Sequence, residues 1–241
     1  MGGFVLVDGI DGSGKGVVMS AFRKWAEEKN LKILDLIDYC KKKKTLPEPE
    51  EIKYYDAIFS TEPSYAYIGR AISEEIIFDN KRDYSVISTA WAFALDREIL
   101  YNRVIIPAIK QNKFIFQERG IVTSIVYQPV QGRISLKEIF DMPGNRLALK
   151  YSPNLLLITK VEPKVVIERL QREGRLEGAI FIKLNFQRKV DERYSSLWLK
   201  NLFERFKAKV IYLDTNPPKS VEETKKEAIK IWEEFLKEIK N

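Results

Sequence analysis

Near its start the chain reads Phe4-Val-Leu-Val-Asp-Gly-Ile-Asp-Gly-Ser-Gly-Lys15, a short β-branched apolar run followed by a glycine-rich turn closed by lysine. Val18, Phe22, Trp25 and Ala26 follow at helical spacing, and Glu27 to Asn30 close that segment. Strand, glycine loop and helix in this order demand a buried parallel strand whose carboxyl end opens onto a helix N-terminus. Small residues let backbone N–H groups turn inward, and the helix end adds partial positive charge. Gly9, Ile10, Asp11, Gly12, Ser13, Gly14 and Lys15 therefore read as a phosphate-binding loop. An idle glycine turn is the competing reading, and the flanking strand and helix weigh against it. One position departs from the pattern. A Ser or Thr ordinarily follows the lysine and ligates Mg²⁺, whereas Gly16 and then Val17 stand here.

At 241 residues and 45% hydrophobic, the chain has enough apolar surface for one α/β domain over its whole length, 1–241. No apolar run approaches the ~20 residues of a membrane span, and no charged-then-apolar leader precedes the first strand. The expectation is a cytoplasmic protein with no membrane partner. A lone Cys40 forms no internal disulfide, in keeping with a reducing compartment. The net charge of +7 permits nucleic-acid binding, but Lys and Arg alternate with Glu along helices. A salt-laced surface with a site for small anions is the preferred reading, with no nucleic-acid partner. Lys41 to Lys44 form a solvated basic run. The absence of His removes Ser-His and Cys-His nucleophiles and the commonest general base. Phosphoryl transfer, which rests on positioning and electrostatics, survives that loss.

Strands are expected at 4–7, 31–37, 113–118, 154–159 and 209–214, with helices over about 65–78, 85–110, 163–172, 181–206 and 219–240. Alternation of this kind implies a parallel sheet covered on both faces, with ligands at the strands' carboxyl ends. Between the second strand and Ala57 lies a Lys-, Pro- and Glu-rich stretch from about Asp38 to Tyr55.

Three constellations sit where such a fold places ligands. Glu118-Arg119 ends the third expected strand, as a structural ion pair or as a carboxylate and guanidinium facing the crevice. Phe93 and Arg97 are four apart on the long helix and share a face, either as core aromatic plus surface arginine or as a paired site. Arg169, Arg172 and Arg175 surround Gly174 and Gly178, a pattern that suits either a solvated helix end or a short lid with mobile arginines.

In this order the motifs resemble those of the thymidylate kinases, within the P-loop nucleoside-monophosphate kinase superfamily. The segments that carry the resemblance are the opening loop, Thr61-Glu-Pro63 with Ile68-Gly69, and Phe93-Ala-Leu-Asp-Arg97. To these are added Glu118-Arg119 with Ser124-Ile-Val-Tyr-Gln128, Arg169 to Arg175 with Phe186 to Tyr194, and Leu213-Asp-Thr-Asn-Pro217. The resemblance implies a three-layer α/β/α P-loop kinase fold with a five-stranded parallel sheet, a lid over about 172–182, and a homodimer formed through the long helices. It implies ATP and Mg²⁺ as cofactors, with ATP held by Gly9 to Val17, and dTMP as the acceptor. Phe93 would stack on thymine, Arg97 would bond its carbonyl oxygen, and Ser124 would lie near the base. Asp11 would take the sugar 3′-hydroxyl, and Tyr127 would crowd the 2′ position. Arg119 would grip the acceptor phosphate, while Lys15 with Arg172 or Arg175 would neutralise the transferred group.

The same comparison isolates departures. Glu118 stands for the family's Asp and, with Asp8, would hold Mg²⁺ in place of the missing hydroxyl. Thr61 stands where an Arg precedes Glu-Pro, and Arg70 is the expected substitute for a phosphate-binding arginine that would fall at Ser73. About twenty residues, 38–56, are inserted after the second strand. A kinase for another deoxynucleotide or deoxynucleoside, and a non-catalytic nucleotide-binding relative, are the alternatives.

Overall fold

A computed structural model describes residues 2–78, 80–172 and 184–239, without the side chains of 170–172. Six parallel strands form one sheet: β1 (Gly3–Asp8), β2 (Ile33–Asp35), β3 (Ala57–Thr61), β4 (Phe114–Glu118), β5 (Leu155–Lys160) and β6 (Lys209–Asp214). Their spatial order is β2-β3-β4-β1-β5-β6, so the first strand is central. The helices are α1 (Lys15–Glu28), α2 (Leu36–Lys43), α3 (Tyr67–Ala71), α4 (Val86–Leu100), α5 (Ile106–Lys110) and α6 (Ile121–Gln131). They continue with α7 (Leu136–Asp141), α8 (Pro143–Lys150), α9 (Pro163–Arg172), α10 (Leu184–Tyr194), α11 (Leu197–Arg205) and α12 (Val221–Glu238).

The central strands are apolar until their carboxyl-terminal residues because both sheet faces are covered. Successive side chains of β1 divide between them. Val5 and Val7 join Phe116, Leu155 and Leu157 under α1 and α12, packed against Phe22, Trp25 and Trp232. Phe4 and Leu6 join Ile58, Ile115 and Leu156 on the other face, beneath α4, α6, α8 and α10. The register sets Thr61 opposite Glu118, and Glu118 opposite Val7. Three strands thus end in a row beside the glycine loop.

Several elements differ from the sequence expectation. The sheet has six strands rather than five, because Ala57–Thr61 pairs with β4 along its whole length. The second strand is shorter than predicted. Asp35 accepts a hydrogen bond from Asp38 N at 3.1 Å, caps α2 and turns Leu36 and Ile37 into helix. The expected 181–206 helix is two helices, since Ser196 caps α11 through Leu199 N. Residues 121–150, unassigned by pattern, carry α6, α7 and α8. The long helix runs from Val86 to Lys110 behind a Ser85 cap, with a π-turn at Tyr101–Ile105. Pro107 explains that turn. It donates no N–H and crowds the carbonyl of Arg103 one turn earlier, so the helix widens there. Residues 173–182 of the expected lid, with Gly174, Arg175 and Gly178, lie outside the described residues.

Gly144 sets the approach of α8 to α4, the helix that carries Phe93 and Arg97. A Cβ there would fall 1.9 Å from Ala94 O and 2.9 Å from Glu98 N. Gly144→Ala should therefore destabilise the protein by about 1–3 kcal/mol, the usual penalty of overpacking. An unchanged midpoint in urea denaturation would contradict this packing.

Candidate active site

The loop after β1 is shaped by its own backbone. Gly9 adopts φ 148°, and a Cβ there would meet Thr159 Oγ1 at 2.5 Å. Gly14 caps α1 in the left-handed region at φ 87°. No side chain caps that helix, and no acid occupies its first turn, so its N–H groups face the crevice available to an anion. Ile10 and Ser13 are buried, and Ser13 Oγ lies 2.6 Å from Thr159 Oγ1. These two residues thus present backbone rather than side chain. Lys15 is 5% exposed and folds back to donate to the carbonyls of Ile10 (2.8 Å) and Gly9 (3.2 Å). Burial, with the Arg119 guanidinium adding to it, lowers its pKa to about 8 against the pull of Asp11, Glu118 and Asp8.

Two adjoining cavities open at the strands' carboxyl ends. The larger, about 780 Å³, is lined by Gly12, Gly14, Lys15, Gly16, Val17 and Glu118 among others, and extends to Arg169 and Thr215. The smaller, about 160 Å³, is bounded by Phe93, Arg97, Ser124, Tyr127 and Gln128. Asp11, Glu62, Pro63 and Arg119 belong to both walls. Phe93 and Arg97 on α4 and Ser124 and Tyr127 on α6, 27 to 34 residues apart between the two helices, therefore converge on one cavity.

Arg119 is held for this position. Its backbone is left-handed at φ 63°, its N–H donates to Val7 O at 2.9 Å, and its guanidinium pairs with Asp11. Arg97 is no surface residue, being 1% exposed. Its Nε donates to Glu62 Oε2 at 2.8 Å, Nη2 pairs with the same carboxylate at 2.5 Å, and Nη2 also donates to Ser124 Oγ at 3.1 Å. Nη1 donates to Asn145 Oδ1. Burial pushes the Glu62 carboxyl up to about 7 despite the opposing Arg97 guanidinium. Glu62 Oε1 accepts from Gln117 Nε2 at 3.0 Å, and the same amide donates to Arg119 O at 2.9 Å. One chain of contacts thus runs from Arg97 to Arg119.

Two sequence expectations fail on geometry. Asp8, expected beside Glu118 as a metal ligand, is 0% exposed. Its carboxylate accepts from Gly9 N (2.8 Å), Thr123 Oγ1 (2.9 Å) and Tyr194 OH (2.7 Å), and is spent on holding β1, α6 and α10 together. Arg70, expected to reach the acceptor phosphate, points outward to Glu74 at 3.2 Å and lines neither cavity. Helical phase puts it three residues from Ser73, which does face the larger cavity. Glu118 lines the larger cavity; its backbone carbonyl accepts from Glu62 N at 3.0 Å, while its carboxylate has no hydrogen bond or ion pair among the described residues. Arg175 and the side chain of Arg172 lie outside the description. A Cβ at Gly16 would meet nothing within 4 Å.

Sequence reasoning missed four contributors. Glu62 and Tyr194 sit in segments that carry the resemblance, which implies no role for them, and Asn145 and Gln117 carry no local signal. Arg169 donates to Gly12 O at 3.0 Å and Thr215 O at 2.5 Å, tying the glycine loop to the turn after β6.

Residues 44–228 match the family described as thymidylate kinase. The chain belongs to the thymidylate kinase family. The probable thymidylate kinase of Archaeoglobus fulgidus is 29% identical over 98% of each chain. The thymidylate kinase of Aster yellows witches'-broom phytoplasma is 30% identical over 64% of this chain and 74% of its own. The crystal structure of thymidylate kinase from Ehrlichia chaffeensis, 16% identical, superposes with a TM-score of 0.62 over 97% of this chain and 100% of that one. At that identity the likeness is one of fold. As a member of the thymidylate kinase family, the chain is an ATP-dependent phosphotransferase.

Lys15 gives the site a pH signature. With its free pKa near 8, phosphates that stabilise the ammonium must raise it again on binding. ATP affinity should be level below pH 8 and fall above it, by up to about tenfold per unit until the bound-state pKa is reached. Calorimetry in buffers of different ionisation enthalpy should record proton uptake at pH 8–9. Affinity unchanged from pH 7 to 10 would contradict the assignment.

Proposed function

We propose that the protein transfers the γ-phosphoryl group of ATP to dTMP, giving dTDP and ADP. The observation that carries this reading is the pairing of cavities. A small pocket with an aromatic side wall and a locked guanidinium joins a glycine-loop cavity through Asp11 and Arg119.

Phe93 supplies a stacking face to the pyrimidine, and Arg97 offers a donor to its carbonyl oxygen. Glu62, Asn145 and Ser124 already fix that guanidinium, so little side-chain entropy is lost on binding. Tyr127 is buried beside Arg119, its ring centroid 5.9 Å from the guanidinium carbon, where it restricts the sugar's 2′ side. Asp11 releases part of its hold on Arg119 to accept from the 3′-hydroxyl, and Arg119 turns to the acceptor phosphate. An acceptor phosphate oxygen then attacks the γ-phosphorus, and the bond to the β–γ bridging oxygen breaks with its electron pair leaving on ADP. The phosphate is already anionic, so no general base and no covalent enzyme intermediate are required. Lys15, with Arg172 or Arg175 from the lid, offsets charge on the transferred group.

The donor set fits Mg²⁺, which commonly takes one or two carboxylates besides phosphate oxygens and water. Glu118 is the carboxylate on the larger cavity with no protein partner among the described residues. Mg²⁺ bound there would neutralise charge on the β- and γ-phosphates. Asp8 is excluded by its three internal donors, and Gly16 supplies no ligand.

The chain also fits a homodimer. Ile87, Trp91 and Leu95 repeat every four residues on α4 and are 47, 52 and 45% exposed. A stripe of this size is unusual on a monomer's helix. No described helix is long and apolar enough to cross a membrane, in keeping with a cytoplasmic enzyme.

An acceptor panel scored for ADP tests the activity. dTMP should give the highest kcat/KM, and Arg97→Ala should cost about 1.5–3 kcal/mol in dTMP recognition, with KM for ATP little changed. Gly16→Thr, in open space, should lower the Mg²⁺ needed for half-maximal rate. Equal use of dTMP and dCMP would refute the acceptor, and ATP binding with no turnover of any acceptor would favour the non-catalytic reading. By light scattering the wild type should have twice the chain mass and Trp91→Glu the chain mass. A wild-type monomer would remove the dimer.

A further inference from the structure

The inserted segment 38–56 is absorbed by none of these roles, since none of its residues lines either cavity. It is nevertheless well built. Leu46 and Ile52 are buried, and Tyr39 OH donates to Glu51 at 3.0 Å, closing α2 onto the 3₁₀ turn at Pro49–Tyr54. What it grips is the wall of the acceptor pocket. That wall runs from Thr61 to Ile77, and its Glu62, Pro63 and Ile77 face both cavities.

The wall needs a grip. Tyr67 opens α3 at φ 47°, a left-handed conformation that a bulky residue leaves when free to do so. A π-turn at Ile72–Ile76 follows directly, a second departure from regular helix before Ile77. From the inside, Asp96 fixes Ser64 by accepting from its N–H at 2.7 Å and its hydroxyl at 2.5 Å. From the outside, the hydroxyls of Tyr67 and Thr45 share a hydrogen bond. Lys41 Nζ lies 5.4 Å from the Tyr65 ring centroid.

Arg103 completes the outer contact. It is carried on the π-turn that precedes Pro107. Nη2 donates to Leu46 O at 2.9 Å, Nε donates to Pro47 O at 3.3 Å, and the guanidinium pairs with Glu48 at 2.5 Å. Its central carbon lies 5.8 Å from the Tyr67 ring centroid. One side chain therefore holds the insertion and the strained tyrosine together.

We propose that segment 38–56 is a brace on the acceptor-side wall, and that Tyr67 and Arg103 are positioning residues that set acceptor affinity without touching the acceptor. Without the brace, Tyr67 relaxes toward an ordinary backbone conformation and the 61–77 wall becomes an ensemble. Only part of that ensemble binds, so apparent affinity falls by the competent fraction. The 61–77 wall also borders the larger cavity, through Tyr65 and Ser73 among others, but the phosphate loop itself rests on α1, β5 and the turn after β6. The proposal rests on dTMP as acceptor.

The test is steady-state kinetics of the full chain with hydrogen exchange on the same samples. Thr45→Val, Tyr67→Phe and the double variant should each raise KM for dTMP by the same factor of about five, the size of one ordinary hydrogen bond. KM for ATP and kcat should stay within about twofold of wild type. Arg103→Ala should have a larger effect on KM for dTMP and should speed amide exchange across 61–77 in the nucleotide-free protein, while the P-loop amides stay unchanged. Should Arg103→Ala fold poorly, the Thr45 and Tyr67 pair decides alone. The brace is overturned if these variants leave KM for dTMP unchanged, if they raise both KM values together, or if exchange across 61–77 does not move. A wild type that turns over no dTMP overturns the acceptor reading instead, and exchange across 61–77 then judges the brace.

Discussion

The smaller cavity of this protein depends on a buried ion pair. Glu62 and Arg97 meet where β3, α4, α6 and α8 converge, and each partner has further bonds that leave the pair fully engaged. Taking two charges out of water is expensive, and an isolated pair seldom recovers that cost. Here the neutral donors and acceptors of Gln117, Asn145 and Ser124 complete the shell. Losing one partner would leave the other as an uncompensated buried charge, a penalty of about 3–5 kcal/mol. What the arrangement gains is direction. A guanidinium with three nitrogens committed cannot swing, and the pocket it lines keeps one shape. The link through Gln117 to the carbonyl of Arg119 extends that order to the left-handed residue that lines both cavities.

A second buried carboxylate does comparable work at the centre of the sheet. Asp8 gathers a backbone amide, a threonine hydroxyl and a tyrosine hydroxyl from three elements. Tyr194 closes α10, so that helix and the floor of the glycine loop share one side chain. Glu118, one strand away, lines the larger cavity with a carboxylate that has no protein partner among the described residues. Two acids at adjacent strand ends thus take opposite tasks because one is enclosed by donors and the other is not.

Much of this was legible in the sequence, and what was legible had a local cause. The strand, loop and first helix follow from residue type and spacing within about 25 positions. Phe93 and Arg97 could be paired because a helix brings residues four apart onto one face. The failures were of a different kind. Arg70 and Ser73 also share a helix, but which of them faces inward depends on how α3 and its π-turn are rolled against α4. Asp8 and Glu118 look alike in sequence, and only Thr123 and Tyr194, more than 100 residues downstream, distinguish them. Ala57–Thr61 became a sixth strand through pairing with β4, not through any feature of its five residues. The widening at Tyr101–Ile105 was foreshadowed by Pro107, a residue that the helical pattern alone would pass over.

Gly16 bears on the history of the chain. The position is open on every side and needs no unusual backbone, so no neighbour has to move to admit a hydroxyl. Some glycine codons lie a single nucleotide substitution from serine. Restoring the common residue has therefore been accessible in one mutational step, with no steric barrier and no need for compensating change elsewhere. The glycine at this position is therefore not imposed by the architecture around it.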